Sequence, residues 1–181
     1  MEALTSEQAA HVAKVYPEIR ARKLPSRSEM HEIIAVDWGT TIVGVMNVLT
    51  GSYIAYRDGD QAAGARRVLD ATGTIVSFNG TDCDLPRLYE LLGLDQDSHV
   101  LKATHDDMRL ITSSIRWPCD PGTIPIYGHN LRATYEHFCG PLPPSPPEPI
   151  PDKYELDNWN DCYRTAELWK RWKQGTLVKR T

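Results

Sequence analysis

The sequence predicts one α/β domain built on a mixed sheet, and three observations carry that prediction. Ile33 to Asn47 reads IIAVDWGTTIVGVMN: an apolar run, an aspartate, a Gly-Thr-Thr turn and a second apolar run. That is the pattern of a buried strand followed at once by an antiparallel neighbour. After it, strand-like and helix-like segments alternate along the chain. A hydrophobic content of 41% over 181 residues suits one core and one domain.

The elements follow in order. Residues 1–30 read as a helical arm, with Thr5 and Gln8 spaced as a capping box and Pro17 interrupting an apolar stripe of Ala9, Val12, Ala13 and Tyr16. A short basic cluster, Arg20, Arg22, Lys23 and Arg27, closes the arm. Ile33–Val36 and Thr41–Leu49 are expected to be antiparallel strands, and Tyr53–Tyr56 a third. Gln61–Asp70 reads as a helix packed through Ala62, Ala63, Ala65, Val68 and Leu69. Thr74–Phe78 is a β-branched run that ends in an Asn79-Gly80 turn signal. Leu85–Leu92 is helical, with leucines on one side. A strand is expected to begin near Val100 and Leu101 and to end near His105-Asp106-Asp107, followed by a helix over Met108–Ile115.

Residues 116–127 are rich in Pro and Gly and read as loop, and Leu131–Cys139 reads as a short helix. PLPPSPPEPIP, residues 141–151, forces extended backbone and reads as a stiff surface connector. Lys153–Gln174 is a strong helix with Trp159, Cys162, Ala166 and Trp169 at helical spacing, and Gly175 ends it. Lys170, Arg171 and Lys173 are expected to complement its dipole. The chain thus divides into an arm (1–30), a domain (31–175) and a tail (176–181).

The totals set limits. A net charge of −4 excludes a globally basic protein, although a local basic patch over an acidic site would be masked in that sum. The four cysteines, Cys83, Cys119, Cys139 and Cys162, lack the close pairing of a zinc site. They read as reduced thiols of a cytoplasmic or other reducing intracellular compartment. No apolar run is long enough to span a bilayer, so no membrane partner is expected.

Three carboxylates stand at chemically telling places. Asp37 closes the first strand, Asp84 opens a helix after the Thr74–Phe78 strand, and Asp161 lies in the last helix, with Asp157 on the same face. A carboxylate at the end of a buried strand requires a compensating charge. Carboxylates gathered on one wall repel one another, and Mg²⁺ or Mn²⁺ turns that repulsion into binding. Two such ions about 4 Å apart activate water and stabilise the leaving oxygen of a phosphodiester.

FNGTDCDLPRL, residues 78–88, resembles the second motif of the DEDD 3′–5′ exonucleases, the DnaQ-like branch of the ribonuclease H-like fold. DNWNDCYRTAELWKRW, residues 157–172, resembles their third motif, and DWGTT, residues 37–41, sits where the family has Asp-x-Glu-Thr-Thr. Asp84 follows Asp37 by 47 residues and Asp161 follows Asp84 by 77, which suits that fold. The resemblance implies a ribonuclease H-like mixed sheet flanked by helices, with metal held by Asp37, Asp84 and Asp161. It implies hydrolysis at the 3′ end of a single nucleic-acid strand. By their charge, Arg22, Lys23, Lys170 and Arg171 near the two ends are expected to steer the phosphate backbone, with Thr40 and Asn79 as further nucleic-acid contacts. Phe78, Tyr127 and the tryptophans are candidates to stack on bases, with Trp159 and Trp169 expected in the core.

Two positions depart from the family pattern. Gly39 replaces the family's Glu, and Asp157 replaces the Tyr that serves as base in one subgroup. Asp157 is therefore the expected base or substitute ligand, with Tyr154 and His137 as nearby alternatives. Asp107, in HDDMRLI, resembles a further family position at a strand end. These departures leave a second expectation open: a catalytically inactive domain that binds nucleic acid or serves a larger assembly. DWGTT also resembles the first phosphate loop of actin-like and sugar-kinase ATPases, but those need two such domains and later glycine loops that are not evident here.

Overall fold

In the computed structural model, residues 32–116, 130–141 and 143–177 are described. The expected N-terminal arm, residues 117–127 of the expected loop and the C-terminal tail beyond Leu177 fall outside those residues, as do Arg22, Lys23, Cys119 and Tyr127.

Five strands form one sheet. They are β1 (Ile33–Trp38), β2 (Val43–Asn47), β3 (Tyr53–Tyr56), β4 (Thr74–Ser77) and β5 (Thr104–Asp107). The spatial order is β3-β2-β1-β4-β5. β1, β2 and β3 form an antiparallel meander, whereas β4 and β5 run parallel to β1. The expected mixed α/β sheet is therefore present. Its helices are α1 (Gln61–Leu69), α2 (Asp84–Leu91), α3 (Met108–Arg116), α4 (Leu131–Phe138) and α5 (Lys153–Lys173).

The two-residue period of β1 splits the core into two layers. Ile34 and Val36 face α1 and α2, where they meet Val68, Leu69, Leu85 and Leu88. Ile33 and Ala35 face α5, where they meet Trp159, Cys162, Ala166 and Trp169. Asp37 continues the odd-numbered row and so points to the α5 side.

One expectation is corrected. β5 begins at Thr104 rather than near Val100, and Val100 is 83% exposed, so this apolar residue does not enter the sheet. Lys173 lies in the last turn of α5, as expected, and its side chain is buried at 4% exposure, with Nζ 3.6 Å from Asp106 and 4.1 Å from the centre of the Trp172 ring. Trp169 Nε1 donates to the same Asp106 carboxylate at 2.9 Å. The end of α5 is thus clamped to β5 by a buried charge pair with its own hydrogen bond, the condition under which such a pair is tolerated. The proline-rich stretch forms neither helix nor strand in its described residues and delivers the chain to α5. There Asp152 caps the helix, its side chain accepting from Glu155 N at 2.9 Å.

A candidate acidic site at the strand ends

In a sheet of this kind the carboxyl ends of parallel strands open onto a crevice where ligands bind. Here β1, β4 and β5 end side by side. A cleft of about 550 Å³ lies at the end of β1, lined by residues 37–42 and by Tyr154, Asp157, Asn158 and Asp161 of α5. The first and third motifs, more than a hundred residues apart in sequence, thus share one wall.

Asp84 lies behind that wall, buried at 7% exposure. It does not cap its own helix, since the N-cap residue is Cys83 and no side chain caps there. Its Oδ1 accepts from the Trp38 backbone N at 3.1 Å, which ties the start of α2 to the end of β1. The turn before it is organised by Asp107. Asp107 Oδ1 accepts from Asn79 N at 2.8 Å, and Oδ2 accepts from Thr81 N at 3.0 Å and Thr81 Oγ1 at 2.8 Å. Asn79 itself adopts a left-handed φ of 68°. Gly80 is required beneath it, because a Cβ there would lie 2.1 Å from Ser77 Oγ.

The carboxylates sense one another. Burial raises the Asp37 pKa well above the usual range, and the charges of Asp161 and Asp84 raise it further, against a hydrogen bond from Asn158. Asp84 is pushed up to about 6 by burial, opposed by the Trp38 N–H; the charges of Asp107 and Asp161 add to the rise, while Arg87 opposes it. Asp161 is raised by burial, opposed by its hydrogen bond and charge contact with Arg164, with Asp157 adding to the rise. Three aspartates from three separated motifs therefore share one electrostatic locus.

Each of the three also has a protein partner. Asn158 Nδ2 donates to Asp37 Oδ2 at 2.6 Å, and Arg164 Nη1 lies 2.6 Å from Asp161 Oδ1. Among the described residues no three His, Cys, Asp or Glu side chains are gathered closely enough to hold a metal ion as they stand. In kind and charge, however, the carboxylate oxygens of Asp37, Asp84 and Asp161 suit a hard divalent cation.

The other expected contacts divide. Thr40 is exposed in the cleft wall, and so is Asp157's partner candidate Tyr154, at 74% exposure. His137 does not line the cleft; its ring packs edge-on against Phe138. Asn79 turns its side chain to Cys83 Sγ and Arg109 and does not line the cleft. Lys170 and Arg171 face Glu167 at 3.8 and 3.9 Å. At 1.5 Å per residue they stand about 14 Å along α5 from Asp161. Trp159 and Trp169 are core residues, as expected, and Trp38 is a tryptophan that lines the cleft.

Asn158, Tyr53 and Arg164 belong to the site and were not singled out from the sequence. Asn158 carried a readable signal, being an amide four residues before Cys162 on the inward stripe of α5. Tyr53 carried none, because its partner lies 105 residues away. No protein-family model matches the chain, and no curated protein matches its sequence. No helix among the described residues is long and apolar enough to cross a membrane.

Proposed function

We propose that the chain is a metal-dependent 3′–5′ exonuclease that hydrolyses phosphodiester bonds of nucleic acid, on a ribonuclease H-like sheet. The observation that carries this reading is the placement of Asp37 and Asp161 on the cleft wall at the end of β1, where the charges of Asp161 and of the buried Asp84 both raise the proton affinity of Asp37. The mixed order β3-β2-β1-β4-β5 supports the fold reading, because it sets the strands that carry the first two motifs beside each other.

Asp37, Asp84 and Asp161 would hold Mg²⁺ or Mn²⁺, which when bound supplies Lewis-acid activation of water and charge neutralisation at the phosphate. Asp157, which lines the cleft one turn before Asp161, would accept the proton of an attacking water, with Tyr154 also in the lining. The Thr40 and Thr41 hydroxyls and the loop backbone around them, which also line the cleft, would offer donors to phosphate oxygens.

A second reading is favoured by two observations. Arg164 already neutralises Asp161, and Gly39 offers no side chain, so a catalytically inactive domain that binds nucleic acid or serves an assembly is the alternative. The test is degradation of 3′- and 5′-labelled single-stranded DNA and RNA with Mn²⁺, against the Asp84→Asn variant. Stepwise loss from the 3′ end, absent in the variant, supports the nuclease. No cleavage by either protein, with Mn²⁺ leaving the melting temperature unchanged, sinks it in favour of the alternative.

A further inference from the structure

The Asp37 side chain is held by a bracket drawn from three elements. Asn158 of α5 is 3% exposed, and its Nδ2 donates both to Asp37 Oδ2 at 2.6 Å and to the Asp37 backbone oxygen at 3.1 Å. Its Oδ1 accepts from the Tyr53 hydroxyl of β3 at 2.8 Å. An amide has one accepting and one donating end. Tyr53 keeps its proton, since burial and then the charges of Cys162, Glu155 and Asp37 drive its pKa far up. The Asp37 backbone oxygen can only accept, so the amide turns its NH₂ to Asp37 and its oxygen to the Tyr53 hydroxyl, which donates to it. β2 makes room for this arrangement by carrying Gly44, where a Cβ would lie 1.7 Å from Asn158 Oδ1 and 3.1 Å from Cys162 Sγ.

We propose that Asn158, oriented by Tyr53 and admitted by Gly44, is the positioning residue for Asp37: it engages Oδ2 and leaves Oδ1 to a divalent cation in the cleft. Among the described residues no hydrogen bond to Asp37 Oδ1 competes for that role. The inference rests on the metal-site reading above. A residue that only docks α5 on the sheet would need neither a fixed amide orientation nor a hydroxyl to enforce it. Groups that orient a ligating carboxylate from outside change metal affinity when removed, usually by about ten- to a hundredfold.

The experiment compares Mn²⁺ affinity of the full chain, by titration calorimetry and by electron paramagnetic resonance of the bound ion, for wild type, Tyr53→Phe and Asn158→Ala. Metal-free melting temperatures are measured alongside. Tyr53→Phe keeps its ring packing and touches no carboxylate of the site, so it reports on orientation alone and decides the matter if Asn158→Ala does not fold. The expected result is Mn²⁺ binding weakened roughly tenfold or more in Tyr53→Phe, with near-wild-type melting, and weakened further in Asn158→Ala. Wild-type affinity in folded Tyr53→Phe overturns the proposal and leaves the metal site standing. Failure of the wild-type chain to bind Mn²⁺ overturns the metal-site reading, and this inference with it.

Discussion

Asp84 concentrates the energetic conflict of the site in one side chain. It is buried, and its pKa rises from 3.8 to about 6. A carboxyl whose pKa is raised on folding contributes stability that is complete below its unfolded value and is lost as pH climbs through the folded value. The metal-free protein is therefore expected to lose stability between about pH 4 and pH 6 from this group. Asp84→Asn keeps an oxygen for the Trp38 amide and removes the charge, so it should stabilise the metal-free protein at pH 7, by up to about 3 kcal/mol at 1.4 kcal/mol per pKa unit. Denaturant titrations at pH 4 and pH 7 check this; a gap that persists at pH 4 would count against it. Gly39 makes the complementary case. A Cβ there meets Asn158 Nδ2 at 3.6 Å and the Ile42 backbone oxygen at 3.7 Å, ordinary contacts that leave room for a side chain. Gly39→Glu should fold and should tighten Mn²⁺ binding on the order of tenfold, since affinity for hard cations follows the number of charged ligands. Calorimetric titration reads that out, and unchanged affinity would mean that the cleft wall does not face the ion.

At the scale of elements, the site depends on close approaches that only small or well-placed residues permit. α5 reaches the β1–β2 hairpin because Gly44 has no side chain. Gly44→Ala should cost about 3 kcal/mol, the upper range for overpacking a core, because the new methyl displaces a hydrogen-bonded amide. A chemical-denaturation midpoint close to wild type would contradict this. The loop from β4 to α2 depends on Asp107, whose carboxylate serves Asn79, Thr81 and the Arg109 backbone N at 3.0 Å. Asp107→Ala leaves those N–H groups without their acceptor and should cost roughly 3 kcal/mol. Hydrogen exchange should localise the loss to residues 79–81. Most elements were legible within a residue or two from their periodicity. The start of β5 was not, because Val100 and Leu101 are apolar by composition, whereas the strand is made by pairing with β4 from Thr104 onward.

At the scale of the whole molecule, folding forces three acidic segments together, and the repulsion this creates is what a divalent ion would relieve. Mn²⁺ at a hundred times its dissociation constant should add about 2.7 kcal/mol to stability. For a chain of this size that corresponds to a melting shift of roughly 5–10 °C. The shift should be largest at pH 7, where the carboxylates are most crowded with charge, and small near pH 4, where protons replace the metal. A thermal scan at both pH values checks this, and equal shifts would point to binding elsewhere. The candidate site was legible in part. Asp37, Asp84 and Asp161 were readable because each sits at a strand end or a helix position that the local pattern marks. The basic contacts were less so. Lys170 and Arg171 are near Asp161 in sequence, yet α5 carries them about 14 Å past it.

By itself the sequence determined the kind and order of the elements and picked out the three aspartates on which the candidate site is built. Those features follow from local periodicity and from residue chemistry, which neighbouring residues reveal. Only the tertiary structure decided which atoms meet. Asn158 finds Asp37 across 121 residues, Tyr53 finds Asn158 across 105, and the Trp38 amide finds Asp84 across 46. Lys173 finds a buried partner in Asp106, and Arg164 takes the oxygen of Asp161 that the sequence would have left to a metal. Hydrogen-bond partners are chosen by distance and angle after the layers have packed, and no pattern along one segment specifies the geometry of another.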